Sequence, residues 1–124
     1  MISEMKLIST NICKTSDIGV NDNLFGGTML SWLDEAGGIM ASYECSSNNV
    51  ITLKMEEVLF KKPVKVKDHV RIYGKVRHVG NTSLKLSLEA RTVNLIGNSE
   101  DIVCSTCVVY VNVDDTGKPK KIVR

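Results

Sequence analysis

Residues 25–43, FGGTMLSWLDEAGGIMASY, decide the fold. Met29, Leu30, Leu33, Ala36, Gly37 and Met40 fall at intervals of three, four and seven, which is one stripe of a 3.6-residue period. Trp32, Ala36, Ile39 and Tyr43 form a second stripe beside it. A helix apolar over this much of its circumference is expected to be enclosed rather than laid on a surface. Gly37 and Gly38 lie in its interior, each costing ~1 kcal/mol against alanine, so another backbone is expected to come close there.

On either side of the helix the hydrophobic period becomes two. Met5 to Cys13 reads as a short first strand, and Thr15 to Asn23 as a polar turn. Val50 to Met55 is rich in strand formers, Glu56 to Phe60 can continue it, and Pro63 ends the run. Val70, Ile72, Gly74 and Val76 alternate with Arg71, Tyr73, Lys75 and Arg77, and Leu84, Leu86, Leu88 and Ala90 alternate with Lys85, Ser87, Glu89 and Arg91. The run Ile102 to Val113 is apolar on both faces apart from Ser105, Thr106 and Asn112, which predicts a central strand. Turns are expected at Val66–Asp68, Gly80–Asn81 and Asn94–Glu100. The order predicts an α+β fold, one enclosed helix wrapped by a curved antiparallel sheet of about five to six strands. A single helix leaves edges and a face uncovered, so dimerisation is expected.

At 124 residues the chain has the length of one domain, read here as 1–124. Only 5% is aromatic, so aliphatic side chains must build the core. A net charge of +2 is too small to argue for a nucleic-acid partner. No apolar run approaches the ~20 residues that cross a bilayer, so no membrane insertion is expected. No basic segment followed by an apolar run marks a secretory signal, which makes the cytoplasm the expected compartment. Cys104 and Cys107 form a Cys-x-x-Cys within a strand, where residues three apart point to opposite faces. They are read, with Cys13 and Cys45, as small buried hydrophobes and not as a metal or redox pair.

The common catalytic machineries are missing. There is no Gly-x-Ser-x-Gly elbow, no phosphate loop and no set of zinc ligands, so no metal is expected. His69 and His78 stand beside or within a strand, without a partnered nucleophile, and read as surface or edge residues. What remains is Asn21-Asp22-Asn23-Leu24-Phe25-Gly26-Gly27 entering the helix, with Asp34 further along it. A helix start carries unpaired N–H groups and about half a positive charge, and glycines there let a carbonyl approach, as an oxyanion hole requires. The plainer reading is that Asn23 caps the helix and the glycines ease the turn. Asp34, among small and apolar neighbours, is a solvated charge if its face is exposed and a functional group if the helix is enclosed.

The series Asn23-Leu24-Phe25-Gly26-Gly27, Asp34-Glu35-Ala36-Gly37-Gly38, Phe60-Lys61-Lys62-Pro63-Val64, Asp68-His69-Val70 and Gly80-Asn81-Thr82-Ser83 resembles the acyl-CoA thioesterases of the hot-dog superfamily, in the YciA-like and brain-type acyl-CoA hydrolase branch. The resemblance runs from about Lys6 to Lys120. It implies a hot-dog fold and hydrolysis of an acyl-CoA to CoA and a free acid, with no cofactor, CoA being part of the substrate. It carries the catalytic carboxylate onto Asp34, as general base or nucleophile, and the catalytic asparagine onto Asn23. The amides of Gly26 and Gly27 would polarise the thioester carbonyl, with Asn23 and Asp34 facing each other across a dimer interface. Gly80, Asn81, Thr82 and Ser83 would belong to the CoA surface. Lys61, Lys62 and Arg77 are nominated for its phosphates, although each also reads as an ordinary surface charge. A homodimer is the minimum unit implied, with a hexamer or tetramer beyond it.

Three positions depart from the pattern. Gly19 stands where family members often have asparagine, Asp22 where they often have glycine, and Lys67 where a glycine usually precedes Asp68. Two other readings compete. A hot-dog 3-hydroxyacyl dehydratase would use a histidine at the helix start, and no histidine occurs before His69. A non-catalytic acyl-CoA-binding module would have no need of Asn23 and Asp34 together.

Overall fold

Alternation in sequence becomes pairing in space. The computed structural model describes residues 5–123. Its elements are β1 (Lys6–Ile12), α1 (Gly26–Cys45), β2 (Val50–Phe60), β3 (His69–Val79), β4 (Ser83–Val93) and β5 (Glu100–Asn112), with a short 3-10 turn at Thr15–Asp17. The five strands form one antiparallel sheet in the order β1-β3-β4-β5-β2. β3, β4 and β5 are a meander of neighbours. The segment β1–α1–β2 instead carries the chain across the sheet, so β1 and β2 end on opposite edges with α1 between them touching all five strands.

The core lies between α1 and the sheet face that it covers. Leu33, Val70, Ile72, Leu86, Ala90, Cys104 and Val108 are completely buried there. β5 lies inside the sheet as expected, between β4 and β2. β2 is one continuous edge strand through Glu56–Phe60, bent by register shifts at Thr52/Lys54 and Glu56/Leu59. Such bulges are one way to blunt an edge.

Two helix expectations need correction. The first stripe is buried through Met29, Leu33, Ala36 and Gly37, but Ile39 is 42% exposed and Tyr43 83% exposed. One sheet can cover only one side of a helix, and the second stripe leaves it beyond Ala36, where Ile39 and Tyr43 face away. The close approach at the paired glycines is also not by backbone. A Cβ on Gly37 would stand 2.1 Å from the Tyr110 hydroxyl and 2.9 Å from Leu88, whereas one on Gly38 would meet nothing nearer than 4.0 Å. Gly37 makes room for a tyrosine side chain, and Gly38 has room to spare.

Cys104 and Cys107 do point to opposite faces: Cys104 is fully buried under α1, and Cys107 is half-buried on the outer face, 3.7 Å from Ser87 Oγ. Burial pushes the Cys104 thiol up to about 11, which keeps it protonated and inert at neutral pH. Cys13, Cys104 and Cys107 are free thiols. The double variant Cys104→Ser/Cys107→Ser is expected to lose about 1–3 kcal/mol, the cost of an imperfectly bonded hydroxyl in an apolar core, and to keep its activity per folded molecule. Urea midpoints together with activity normalised to folded protein check this, and loss of activity with the fold intact would contradict it.

Asp22 and Lys67, two of the departures, both adopt left-handed backbone, at φ +62° and +83°. That is the conformation a glycine takes without cost. Aspartate is tolerated there better than lysine. Lys67→Gly is therefore expected to raise stability by about 0.5–1 kcal/mol, the left-handed penalty less the added freedom of the unfolded chain. An unchanged or lower urea midpoint would show that Lys67 carries no strain.

Candidate active site

The helix start is fixed by a knot of backbone bonds. The Gly19 N–H donates to the Asn23 carbonyl (2.9 Å), Leu24 N–H to Val64 O (2.8 Å) and Phe25 N–H to Asp17 O (2.9 Å). This ties the turn before α1 to the segment after β2. The helix cap is Phe25, in extended conformation and with no side-chain cap bond. Asn23 is therefore not the cap. Its Oδ1 instead accepts a hydrogen bond from Lys65 Nζ. The first helical bond runs from Met29 N–H to Phe25 O (3.1 Å), which leaves the amides of Gly26, Gly27 and Thr28 ahead of it with no carbonyl one turn back. The Phe25 ring lies against Gly27, where a Cβ would come within 2.8 Å of it, and the Phe60 ring lies against Gly26 at 3.4 Å. Glycine at 27 thus lets the Phe25 ring lie close as well as permitting approach to the amide.

Beside this turn is a cleft of about 340 Å³, lined among others by Asn23, Gly26, Met29, Phe60, Lys61 and Lys62. Four of the nominated residues therefore meet in one place. Asp34 is not among its walls. It lies eight residues beyond Gly26, about 12 Å along the helix axis at 1.5 Å per residue.

Asp34 is half-buried where α1 faces β2 and β5. Thr52 Oγ1 donates to its Oδ1 at 2.6 Å, and the Tyr110 hydroxyl lies 2.8 Å from its backbone oxygen and 3.2 Å from the same Oδ1. Thr52 and Tyr110 are direct partners in the β2–β5 register. One cross-strand pair thus supplies both hydroxyls.

The residues nominated for CoA are dispersed. Lys61 and Lys62 flank the cleft, with Lys62 Nζ also 3.4 Å from Asp101. Arg77 is on the outer face of the sheet and donates to Ser87 Oγ at 3.1 Å. Gly80, Asn81, Thr82 and Ser83 span the β3–β4 turn, closed by Gly80 N–H to Ser83 O at 2.8 Å. Ile122 N–H binds Asn81 O and Asn112 N–H binds Thr82 O, both at 2.9 Å, so the last residues brace that turn. Neither His69, at the start of β3, nor His78, exposed near its end, lines the cleft.

Sequence reasoning missed Thr52, Tyr110 and Lys65. The lysine-rich run Lys61–Lys67 was a signal for the last. The two hydroxyls gave none, because only the sheet order brings them to Asp34.

Among the described residues, no group of three His, Cys, Asp or Glu could hold a metal ion, and no helix is long and apolar enough to cross a membrane.

One helix laid across a five-stranded antiparallel sheet of this order, with a held carboxylate inside it and free amides at its start, is a hot-dog fold. Residues 21–95 match the thioesterase superfamily, and the chain belongs to that family. It is 30% identical to the acyl-CoA thioester hydrolase YciA of Escherichia coli, over 94% of this chain and 89% of that one. A hexameric hotdog-fold thioesterase of Campylobacter jejuni superposes with a TM-score of 0.87 and 36% identity, over 95% of this chain and 90% of that one. The acyl-CoA hydrolase of Staphylococcus aureus, in complex with butyryl coenzyme A and coenzyme A, superposes with a TM-score of 0.88 and 26% identity, over 97% of this chain and 73% of that one. Structures of that enzyme also exist with an asparagine, an aspartate fifteen residues after it, and a threonine each replaced by alanine. Counting fifteen back from Asp34 in this chain reaches Gly19 rather than Asn23. The Gly19–Asn23 backbone bond ties the two positions across one tight turn, with the Asn23 side chain turned to Lys65 and position 19 facing the Phe25 ring.

Proposed function

We propose that this chain hydrolyses acyl-CoA thioesters to CoA and a free carboxylic acid. The observation that carries the reading is Asp34, a half-buried carboxylate held by a hydroxyl where the helix faces the sheet. A thioester is already activated and needs no Ser-His-Asp triad. As general base, Asp34 takes a proton from water while the water oxygen bonds to the acyl carbon. The C–S bond then breaks and the sulfur leaves as the CoA thiol, taking up the proton that Asp34 had received. As nucleophile, Asp34 would form an anhydride that water opens to the same products. The negative charge that develops on the carbonyl oxygen is met by the amides of Gly26 and Gly27 and by Asn23, in a site where such donors are worth orders of magnitude in rate. The chemistry needs no metal or organic cofactor.

The active site is shared between two subunits. Supporting this, the first-turn amides lie about 9–12 Å along the helix axis from Asp34 in one chain, a separation that disfavours both acting on one carbonyl. The exposed apolar residues Ile39 and Tyr43 on α1, with Ile51 and Leu53 on the neighbouring edge strand, give a second copy a surface to cover. The hexameric relative from C. jejuni supports a dimer that assembles further. The CoA moiety is assigned to Gly80, Asn81, Thr82 and Ser83, with Lys61, Lys62 and Arg77 for its phosphates. Their dispersion in one chain fits a surface completed by neighbours. The thiols of Cys13, Cys104 and Cys107 fit a reducing compartment such as the cytoplasm.

Thiol release from a panel of acyl-CoAs, short to long, tests the reading. Turnover with at least one chain length is expected, and binding of every member without release would leave an acyl-CoA-binding module instead.

A further inference from the structure

We propose that Tyr110 is a positioning residue for Asp34: with Thr52 it engages Oδ1 of the carboxylate, so that Oδ2 is the oxygen that meets water or the acyl carbon. This rests on reading Asp34 as the catalytic carboxylate. Tyr110 is only 1% exposed, and a phenol buried this deeply is costly unless its hydroxyl is bonded. A phenylalanine would fill the same space without that cost. The hydroxyl has one proton and two acceptors in reach, the Asp34 backbone oxygen at 2.8 Å and Oδ1 at 3.2 Å. The backbone oxygen is also placed to accept the helical bond from Gly38, whereas the carboxylate is charged and the stronger acceptor. Burial first, and then the neighbouring Asp34 charge, hold the phenol proton in place far above the ordinary tyrosine range, so Tyr110 remains a donor across the working pH.

Two independent features show that this arrangement is built. Thr52 and Tyr110 are register partners on adjacent strands, so the sheet sets the spacing of the two hydroxyls. Gly37, one helical turn after Asp34, leaves the space that the Tyr110 hydroxyl occupies. A carboxylate fixed through one oxygen loses rotational freedom and presents the other in a defined direction, which is what attack by an oriented water requires.

Tyr110→Phe keeps the ring and removes only the oxygen. Assayed well below its own melting midpoint, it is expected to show kcat lowered roughly 5–20-fold, the scale of one hydrogen bond shared between two acceptors, with KM within about twofold of wild type. In an Asp34→Ala background the same substitution is expected to change the residual rate less than about twofold, because the group it positions is gone. At fixed neutral pH, the carboxyl carbon resonance of Asp34, labelled with ¹³C, is expected to move on Tyr110→Phe, a readout that needs no turnover. Wild-type kcat in Tyr110→Phe, an equal loss in both backgrounds, or an unmoved resonance would each overturn the proposal. If wild type releases no thiol while the resonance still moves, the contact stands, the proposed activity fails, and the positioning role falls with it.

Discussion

Asp34→Ala is expected to lower kcat by about 10²–10⁴, the range for losing a positioned general base, while KM changes little. The split follows from where the carboxylate acts. It meets the water or the acyl carbon as bonds change, and contributes little to holding the nucleotide and pantetheine portions of the substrate. The fold should survive, because Asp34 is only half-buried and alanine is the best helix former. Thr52 and Tyr110 would lose one acceptor, and the Tyr110 hydroxyl keeps the backbone oxygen at 2.8 Å. Saturation kinetics by thiol release give both constants. A variant that keeps more than about a tenth of wild-type kcat would remove Asp34 from the chemistry.

Mixing two inactive variants is expected to restore activity. Asn23→Ala and Asp34→Ala, each silent alone, are unfolded and refolded together in equal amounts. Random pairing makes about half of the dimers mixed, and two-fold symmetry gives each mixed dimer one doubly damaged and one intact site. Recovery near a quarter of the wild-type rate is therefore expected if Asn23 comes from one subunit and Asp34 from the other. If both came from one chain, every site would be damaged in every dimer and mixing would restore nothing. Subunit exchange, verified by mass spectrometry of isotope-labelled protein, makes a null result decisive. The single variants act as their own controls: an active Asn23→Ala would transfer the asparagine's assigned role to the Gly26 and Gly27 amides.

The elements were legible in the sequence because each is governed by local periodicity. The 3.6-residue stripe from Met29 to Met40 and the alternation of Val70–Val76 and Leu84–Ala90 need no knowledge of the rest of the chain. The resemblance drew attention to Asp34 and the helix start, and the fold places them on one helix. What could not be read depends on pairing between distant segments. Thr52 and Tyr110 are 58 positions apart, and only the β2–β5 register sets them side by side. The role of Gly37 was half-read for the same reason: the glycine signalled a close neighbour, but the neighbour was a side chain from the far end of the sequence. Asn23 looked like a cap because capping residues sit near helix starts, yet the backbone ties of Leu24 and Phe25 move the true boundary two residues on.

The crossing of β1–α1–β2 over the sheet also sets the order in which the chain can be built during synthesis. The strands that α1 packs on are mostly made after it, β5 ending only at Asn112. At roughly 5–20 residues per second, the ribosome needs about 3–13 s to go from the end of α1 to the end of β5. For that interval Met29, Leu33 and their neighbours have no complete surface to pack against. The β3–β4–β5 meander is the part with the most local pairing and therefore the least entropy to overcome, so it forms first, and the helix and the two edge strands settle onto it. A newborn chain of this topology passes through a stage in which the apolar face of its helix is the last to find cover. Its yield in the cell therefore depends on how well that stage is shielded from other unfinished chains.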